Sequence, residues 1–147
     1  MKVLLACLIG FLLLSFTPAW QNNFEKAKQM AAQDHKCILL TFSGSDWCGP
    51  CIRLHKEIFE SGAFEGFADS SLILINADFP RAKKNQLSKE QQKENDMLAD
   101  KYNSNGSFPF TVLLSAQGKV LKTWDGLPKM TPDEFVSDVK FTVDTNK

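Results

Sequence analysis

Apolar and polar positions follow two different rhythms along this chain. Two runs, Cys37-Ile38-Leu39-Leu40-Thr41-Phe42 and Leu72-Ile73-Leu74-Ile75-Asn76, are apolar almost without interruption. Such a run fits a strand covered on both faces, so the second is expected to be central and parallel. Around them, apolar residues recur at helical spacing. Phe24, Ala27, Met30 and Ala31 predict a helix over residues 22–36. Cys51, Leu54, His55 and Ile58, with Ile52 and Phe59 beside them, predict another from Cys48 to about Glu60. Ser61-Gly62 is read as its break, and residues 63–68 as one further helical turn presenting Phe64 and Phe67.

Ser88-Lys89-Glu90-Gln91 has the form of a capping box and starts a helix that reaches about Tyr102. Phe110–Ser115 and Lys119–Trp124 read as two strands joined by a turn at Ala116-Gln117-Gly118. Thr131-Pro132-Asp133-Glu134 combines a cap, a proline at the first helical position and acids in the first turn. The last helix then runs through Phe135, Val136 and Val139. The order α–β–α–β–α–β–β–α predicts an α/β domain, a central mixed sheet flanked by helices on both faces. The strands at 38–42 and 72–76 would form a right-handed βαβ unit.

Composition changes this picture at the N-terminus. With 147 residues, 44% of them hydrophobic, the chain can build one domain with a real core. Seventeen basic residues balance seventeen acidic ones, so charge gives no reason to expect nucleic acid or an anionic surface as partner. Met1-Lys2, the apolar stretch Val3 to Phe16 and the small residues of Thr17-Pro18-Ala19 together read as a secretory signal peptide, residues 1–19. Cleavage after Ala19 would leave residues 20–147 as the domain, with no stable membrane insertion. The apolar run is shorter than the ~20 residues of a spanning helix, which makes an uncleaved anchor the weaker alternative. Leu4-Leu5-Ala6-Cys7 loosely fits a lipidation signal, but cleavage there would leave almost no apolar region.

The exported domain keeps Cys37, Cys48 and Cys51. An oxidising compartment would favour a Cys48–Cys51 disulfide and leave Cys37 over. Because Cys37 opens an apolar strand, it reads first as a small buried residue. A reactive thiol or a link between chains are its other possible roles.

The candidate chemistry lies in Trp47-Cys48-Gly49-Pro50-Cys51. A strand followed by two cysteines in the first turn of a helix puts a thiol at the positive end of a helix dipole. There the thiolate is stabilised, and its pKa falls below the free value of ~8.5. The i, i+3 spacing lets the sulfurs close a small, reducible ring. Pro50 fits early in a helix, where its missing N–H would be unpaired anyway. Cys48 and Cys51 could instead supply half of a zinc site completed by Cys37 and His35 or His55. His55 otherwise reads as a packed or partly exposed histidine.

With its lead-in Phe42-Ser43-Gly44-Ser45-Asp46-Trp47, this motif resembles that of the thioredoxin superfamily, most of all its secreted bacterial thioredoxin-like members. The resemblance covers residues 24–141 and implies the thioredoxin fold. It assigns Cys48 as the attacking thiol and Cys51 as the resolving one. Trp47, Gly49, Pro50, Phe108 and Pro109 become candidate substrate contacts, with Pro109 cis against the disulfide and Phe108 offering backbone hydrogen bonds to an extended substrate. Gly126 falls near the same groove. The implied function is a thiol–disulfide oxidoreductase, without organic cofactor or metal. It would be monomeric and periplasmic, exchanging disulfides with protein thiols and with a separate redox partner. The Gly49-Pro50 pair argues for the reducing direction, which outside the cytoplasm needs an electron supply.

The departures from the family are specific. Its buried Asp falls on Thr41 or Phe42, and the Lys paired with it near Leu74. Proton removal from Cys51 is left to water, the substrate or another carboxylate. Asp46 is near in sequence but expected to be exposed. The segment Asp78–Ser88 is longer than in a minimal thioredoxin and could shape the choice of partner. A passive binding module on the same fold is the alternative that loss of the buried acid favours.

Overall fold

The computed structural model describes residues 18–146. The segment read as an export signal therefore lies, through residue 17, outside the described residues. The sheet is built from β1 (Trp20–Gln21), β2 (Cys37–Ser43), β3 (Leu72–Asp78), β4 (Phe110–Leu114) and β5 (Val120–Asp125). Their spatial order is β1–β3–β2–β4–β5. Both β1 and β2 run parallel to β3, while β4 is antiparallel to β2 and to β5. The mixed sheet expected from the sequence is thus present, with β2 rather than β3 at its centre.

Helices α1 (Phe24–Asp34) and α4 (Lys89–Tyr102) cover one face; α2 (Gly49–Leu54), α3 (Gly62–Ser71) and α5 (Pro132–Thr145) cover the other. Alternation along β2 feeds both cores. Ile38, Leu40 and Phe42 pack with Phe24, Ala27 and Leu98 on the first face. Leu39 packs with Leu54, Phe64 and Phe135 on the second. All four β2 side chains are fully buried, which is why the run carries no polar alternate until Thr41.

Local chemistry sets the helix ends. Asn23 Oδ1 accepts the Lys26 N–H (2.8 Å) at the start of α1. Thr131 and Glu134 form the reciprocal capping box of α5. At α4 only half of the expected box forms: Ser88 Oγ caps the Gln91 N–H, but the Gln91 amide donates onward to Asn95.

Three features differ from the sequence reading. Ser61-Gly62 ends the helix begun at the cysteines, as expected, but it also starts the next one: the Ser61 hydroxyl caps Phe64 N–H (3.2 Å), and α3 runs ten residues instead of one turn. The helix begun at the cysteines is α-helical only to Leu54 and continues as a π-helical turn, His55–Phe59, closed by the Glu60 N–H donating to His55 O (2.9 Å). β1 is two residues long, pairing Trp20 with Leu74 and Gln21 with Ile75, too short to carry any alternation. Among the described residues no helix is long and apolar enough to cross a membrane.

Candidate active site

Cys48 occupies the N-cap of α2 and Cys51 its first turn. The two sulfurs are joined in a disulfide that does not include Cys37. Cys37 is half-buried at the start of β2, so it is less enclosed than its place in an apolar strand predicts. Cys48 Sγ accepts the Cys51 N–H (3.2 Å), the interaction that would stabilise a thiolate at this cap. Cys48 and Cys51 are almost equally covered in the disulfide, 5% and 4% exposed, so burial does not separate their roles. Gly49 and Pro50 are exposed beside them, with Pro50 in the first helical turn as expected.

The Phe108–Pro109 peptide is cis, and Pro109 lines the same cavity as Cys51. Gly126, at φ 76°, donates its N–H to Pro109 O (2.9 Å) and so adjoins that segment. Phe108 meets the Trp47 ring edge-on, with centroids 5.4 Å apart. A side chain at Gly44 would collide with the Trp47 indole, so a glycine there is what lets the ring lie over the lead-in loop.

Beneath α2 the second face of the sheet changes character. Leu39, Leu74 and Leu113 are apolar, but the next residues toward the site on the same face are Thr41, Asn76 and Thr111. Thr41 Oγ1 lies 3.4 Å from Thr111 Oγ1, and Ser43 Oγ donates to Asn76 Oδ1 (2.7 Å). A cavity of about 310 Å³ opens here, bounded by Thr41, Ser43, Asn76 and Cys51 with exposed Lys56 and Glu60. The buried-acid position is Thr41, since Phe42 points into the opposite core. The register also corrects the position of its expected partner. Thr41 lies beside Asn76, whereas Leu74 lies beside Leu39, two residues further from the site.

Asp46 has a different task from proton transfer. Its carboxylate accepts the backbone N–H groups of Arg81 (2.9 Å) and Ala82 (2.8 Å) and the Asn85 amide (3.0 Å). These donors hold its pKa below the ordinary carboxylate value, the Arg81 N–H first among them. Asp78 similarly takes the Ser45 N–H (2.8 Å) and the hydroxyls of Ser43 and Ser45. Trp47 Nε1 donates to Phe79 O (2.7 Å). The long segment after β3 is therefore fastened directly to the cysteine lead-in, a link spanning some 35 residues that no local pattern announces.

Because the Asp46 pKa is depressed in the folded protein, its clamp is at full strength above the unfolded value of ~3.9. It weakens only as pH falls through the lowered one. Asp46→Ala is expected to speed amide exchange at Arg81 and Ala82 roughly tenfold at neutral pH, the scale of one charge-assisted hydrogen bond. Hydrogen-exchange mass spectrometry over residues 79–87 would show it, with the wild-type segment staying protected down to pH 5.

His55 packs against Trp20 and Phe59, with Nε2 3.4 Å from Glu60 Oε1. His35 ends α1 at φ 55°. Among the described residues no three His, Cys, Asp or Glu side chains gather as metal ligands.

A two-cysteine helix start, a cis proline beside it and a five-stranded mixed sheet define a thioredoxin-fold redox domain by architecture. The family model for the thioredoxin-like domain matches residues 24–140, and the chain belongs to that family. It is 39% identical over 102 residues to the disulfide bond reductase DsbH of Chlamydia pneumoniae, covering 69% of this chain and 59% of that protein. It is 29% identical over 96 residues to the thioredoxin-related protein DsbJ of the same organism, covering 65% of this chain and 27% of that one. The chain thus spans less than two thirds of the length of these curated relatives. A solved structure described as DsbH oxidoreductase superposes with a TM-score of 0.79 at 34% identity, covering 88% of this chain and 86% of the other.

Proposed function

We propose that this protein is a periplasmic thiol–disulfide oxidoreductase that acts on protein disulfides, chiefly as a reductant. The observation that carries the reading is the Cys48–Cys51 pair at the start of α2, set between Pro109 and a polar floor. In the reduced protein the Cys48 thiolate attacks one sulfur of a substrate disulfide and releases the other as a thiolate. Cys51 then attacks the mixed disulfide, frees the second substrate sulfur and leaves Cys48–Cys51 oxidised. Trp47, Gly49 and Pro50 flank the attacking sulfur, and Phe108 and Pro109 form the opposite side of the substrate groove.

Among the described residues no buried carboxylate stands ready to receive the Cys51 proton. Thr41, Ser43 and Asn76 offer neutral hydrogen-bonding groups instead, and the cavity they share with Cys51 reaches Glu60. Asp46 is committed to the loop after β3, so we assign proton removal to the solvent side of this cavity.

The reducing direction is supported by Gly49-Pro50 and by the relative described as a disulfide bond reductase. Export is supported by residues 1–19 as a sequence. A monomeric state is supported by the scatter of exposed large apolar side chains, Ile52, Met97, Val120, Met130 and Phe141, over five segments. The missing buried acid favours one other reading, a passive binder.

The deciding measurement is the redox equilibrium of Cys48 and Cys51 in graded glutathione buffers, read by alkylation. A potential near −270 mV, about that of thioredoxin, is expected; one nearer about −120 mV would make the protein an oxidant. Failure to form the disulfide at any poise would leave the passive reading.

A further inference from the structure

Beyond the cysteine pair, one continuous surface joins the active-site lead-in to the segment after β3. Phe108 contacts both Trp47 and Phe79, with centroids 5.4 and 5.5 Å away. Arg81 lies on the Trp47 ring, its Cζ 3.7 Å from the centroid. The backbone that carries Arg81 is fixed by Asp46, and the ring it rests on is fixed through Phe79 O. A guanidinium stacked in this way leaves its N–H edge available to an acceptor.

Two further cations, Lys83 and Lys84, stand exposed on the 3-10 turn that follows. Among the described residues the ion pairs join other side chains, and no carboxylate is in ion-pair range of Arg81, Lys83 or Lys84. Asp46 and Asp78 lie close by, but their oxygens are occupied by the loop backbone and by Ser43, Ser45 and Asn85. Three cations without carboxylate partners therefore stand on the segment fastened to the active-site lead-in, Arg81 of them on the Trp47 ring, in a chain with no net charge.

We infer that Arg81, with Lys83 and Lys84, forms a cationic rim that selects polypeptide substrates carrying an Asp or Glu close to the disulfide cysteine. The inference rests on the exchange reading above. Arg81 covers the residue immediately before Cys48, so the complementary carboxylate lies within a few residues of the substrate cysteine, at roughly 3.3 Å of extended chain per residue. Such a rim discriminates between partners and speeds encounter more than it adds affinity.

The test uses pre-reduced protein and homodisulfides of short peptides whose cysteine is flanked by Glu, Gln or Lys. Each single turnover passes two electrons from the Cys48/Cys51 dithiol to the peptide disulfide and yields two peptide thiols. Rates are normalised to reduction of the same peptides by dithiothreitol, which removes the effect of the flanking charge on the sulfur itself. The Glu peptide is expected to react roughly three- to tenfold faster than the Lys peptide at low salt, the scale of one or two exposed charge pairs. The ratio should shrink at 1 M salt, where the screening length is about 3 Å. It should approach one in the exposed-site triple variant Arg81→Gln, Lys83→Gln, Lys84→Gln. Equal rates for wild-type protein, or a preference that survives in the triple variant, overturn the inference while leaving exchange intact. If no peptide disulfide is reduced at all, the exchange reading falls and this one falls with it.

Discussion

Replacing Cys51 with Ser is expected to stop turnover and to leave substrate covalently attached to Cys48. The mixed disulfide formed by Cys48 would then lack the neighbouring thiol that normally resolves it. That thiol sits one helical turn away, with its N–H already on Cys48 Sγ at 3.2 Å. Well-oriented intramolecular groups act at effective concentrations on the order of 10⁵ M or more, which millimolar external thiol does not approach, so turnover should fall at least about a hundredfold. Cys48→Ser should also be inactive, but without capturing any partner. Non-reducing gels and mass spectrometry of the two variants read the difference directly. Because the two cysteines are covered to nearly the same degree, this pair of variants, rather than exposure, assigns their roles. Trapping by Cys48→Ser alone would reverse them, and trapping by neither would remove the covalent mechanism.

The largest loss of stability is expected from Phe135→Ala. Phe135 is fully buried on α5, with ring centroids 5.1 Å from Trp124, 6.1 Å from Phe59 and 6.2 Å from Phe64. Removing it opens a cavity among three aromatic rings that cannot all collapse inward, a loss of about 3–5 kcal/mol. For a domain of this size that corresponds to roughly 10–20 °C in Tm. Phe141, on the same helix but 69% exposed, supplies the internal control. Phe141→Ala should stay within about 0.5 kcal/mol of wild type. Thermal or urea unfolding of both variants tests the assignment of the core, and equal losses would contradict it. Since Phe59 belongs to the turn that continues α2, the Phe135 variant should also loosen the cavity beside Cys51.

The sheet was legible because β2 and β3 are buried on both faces and therefore spell out their strands in unbroken apolar letters. The α5 start was legible because Thr131, Pro132 and Glu134 each satisfy a backbone requirement of a helix end. Other elements left no such trace. A two-residue strand such as β1 has no period to detect. Ser61-Gly62 ends one helix and caps the next, and its pattern does not tell how far the second one runs; the packing of Phe64 and Ala68 does. The polar floor was half legible. Thr41 interrupts an apolar strand and was one of two candidates, and the alternation from Leu39 selects it once the faces are known. Register between β2 and β3 was needed to find Asn76 beside it. The attachment of Asp46 to Arg81 and Ala82 was not legible, because it depends on two loops meeting in space.

The π-helical turn at His55–Phe59 carries one residue more than an α-helix would use for the same path. Cys51 and Leu54 before it, and Ile58 and Phe59 within it, are all buried. The wider turn absorbs that residue locally, so deleting one residue of His55–Phe59 would restore a regular α-helical turn and leave Cys51 over the polar floor. In an alignment such an extra residue would pass for a neutral insertion inside a helix. Its effect is confined to the turn that sets His55 and Glu60 beside the cavity.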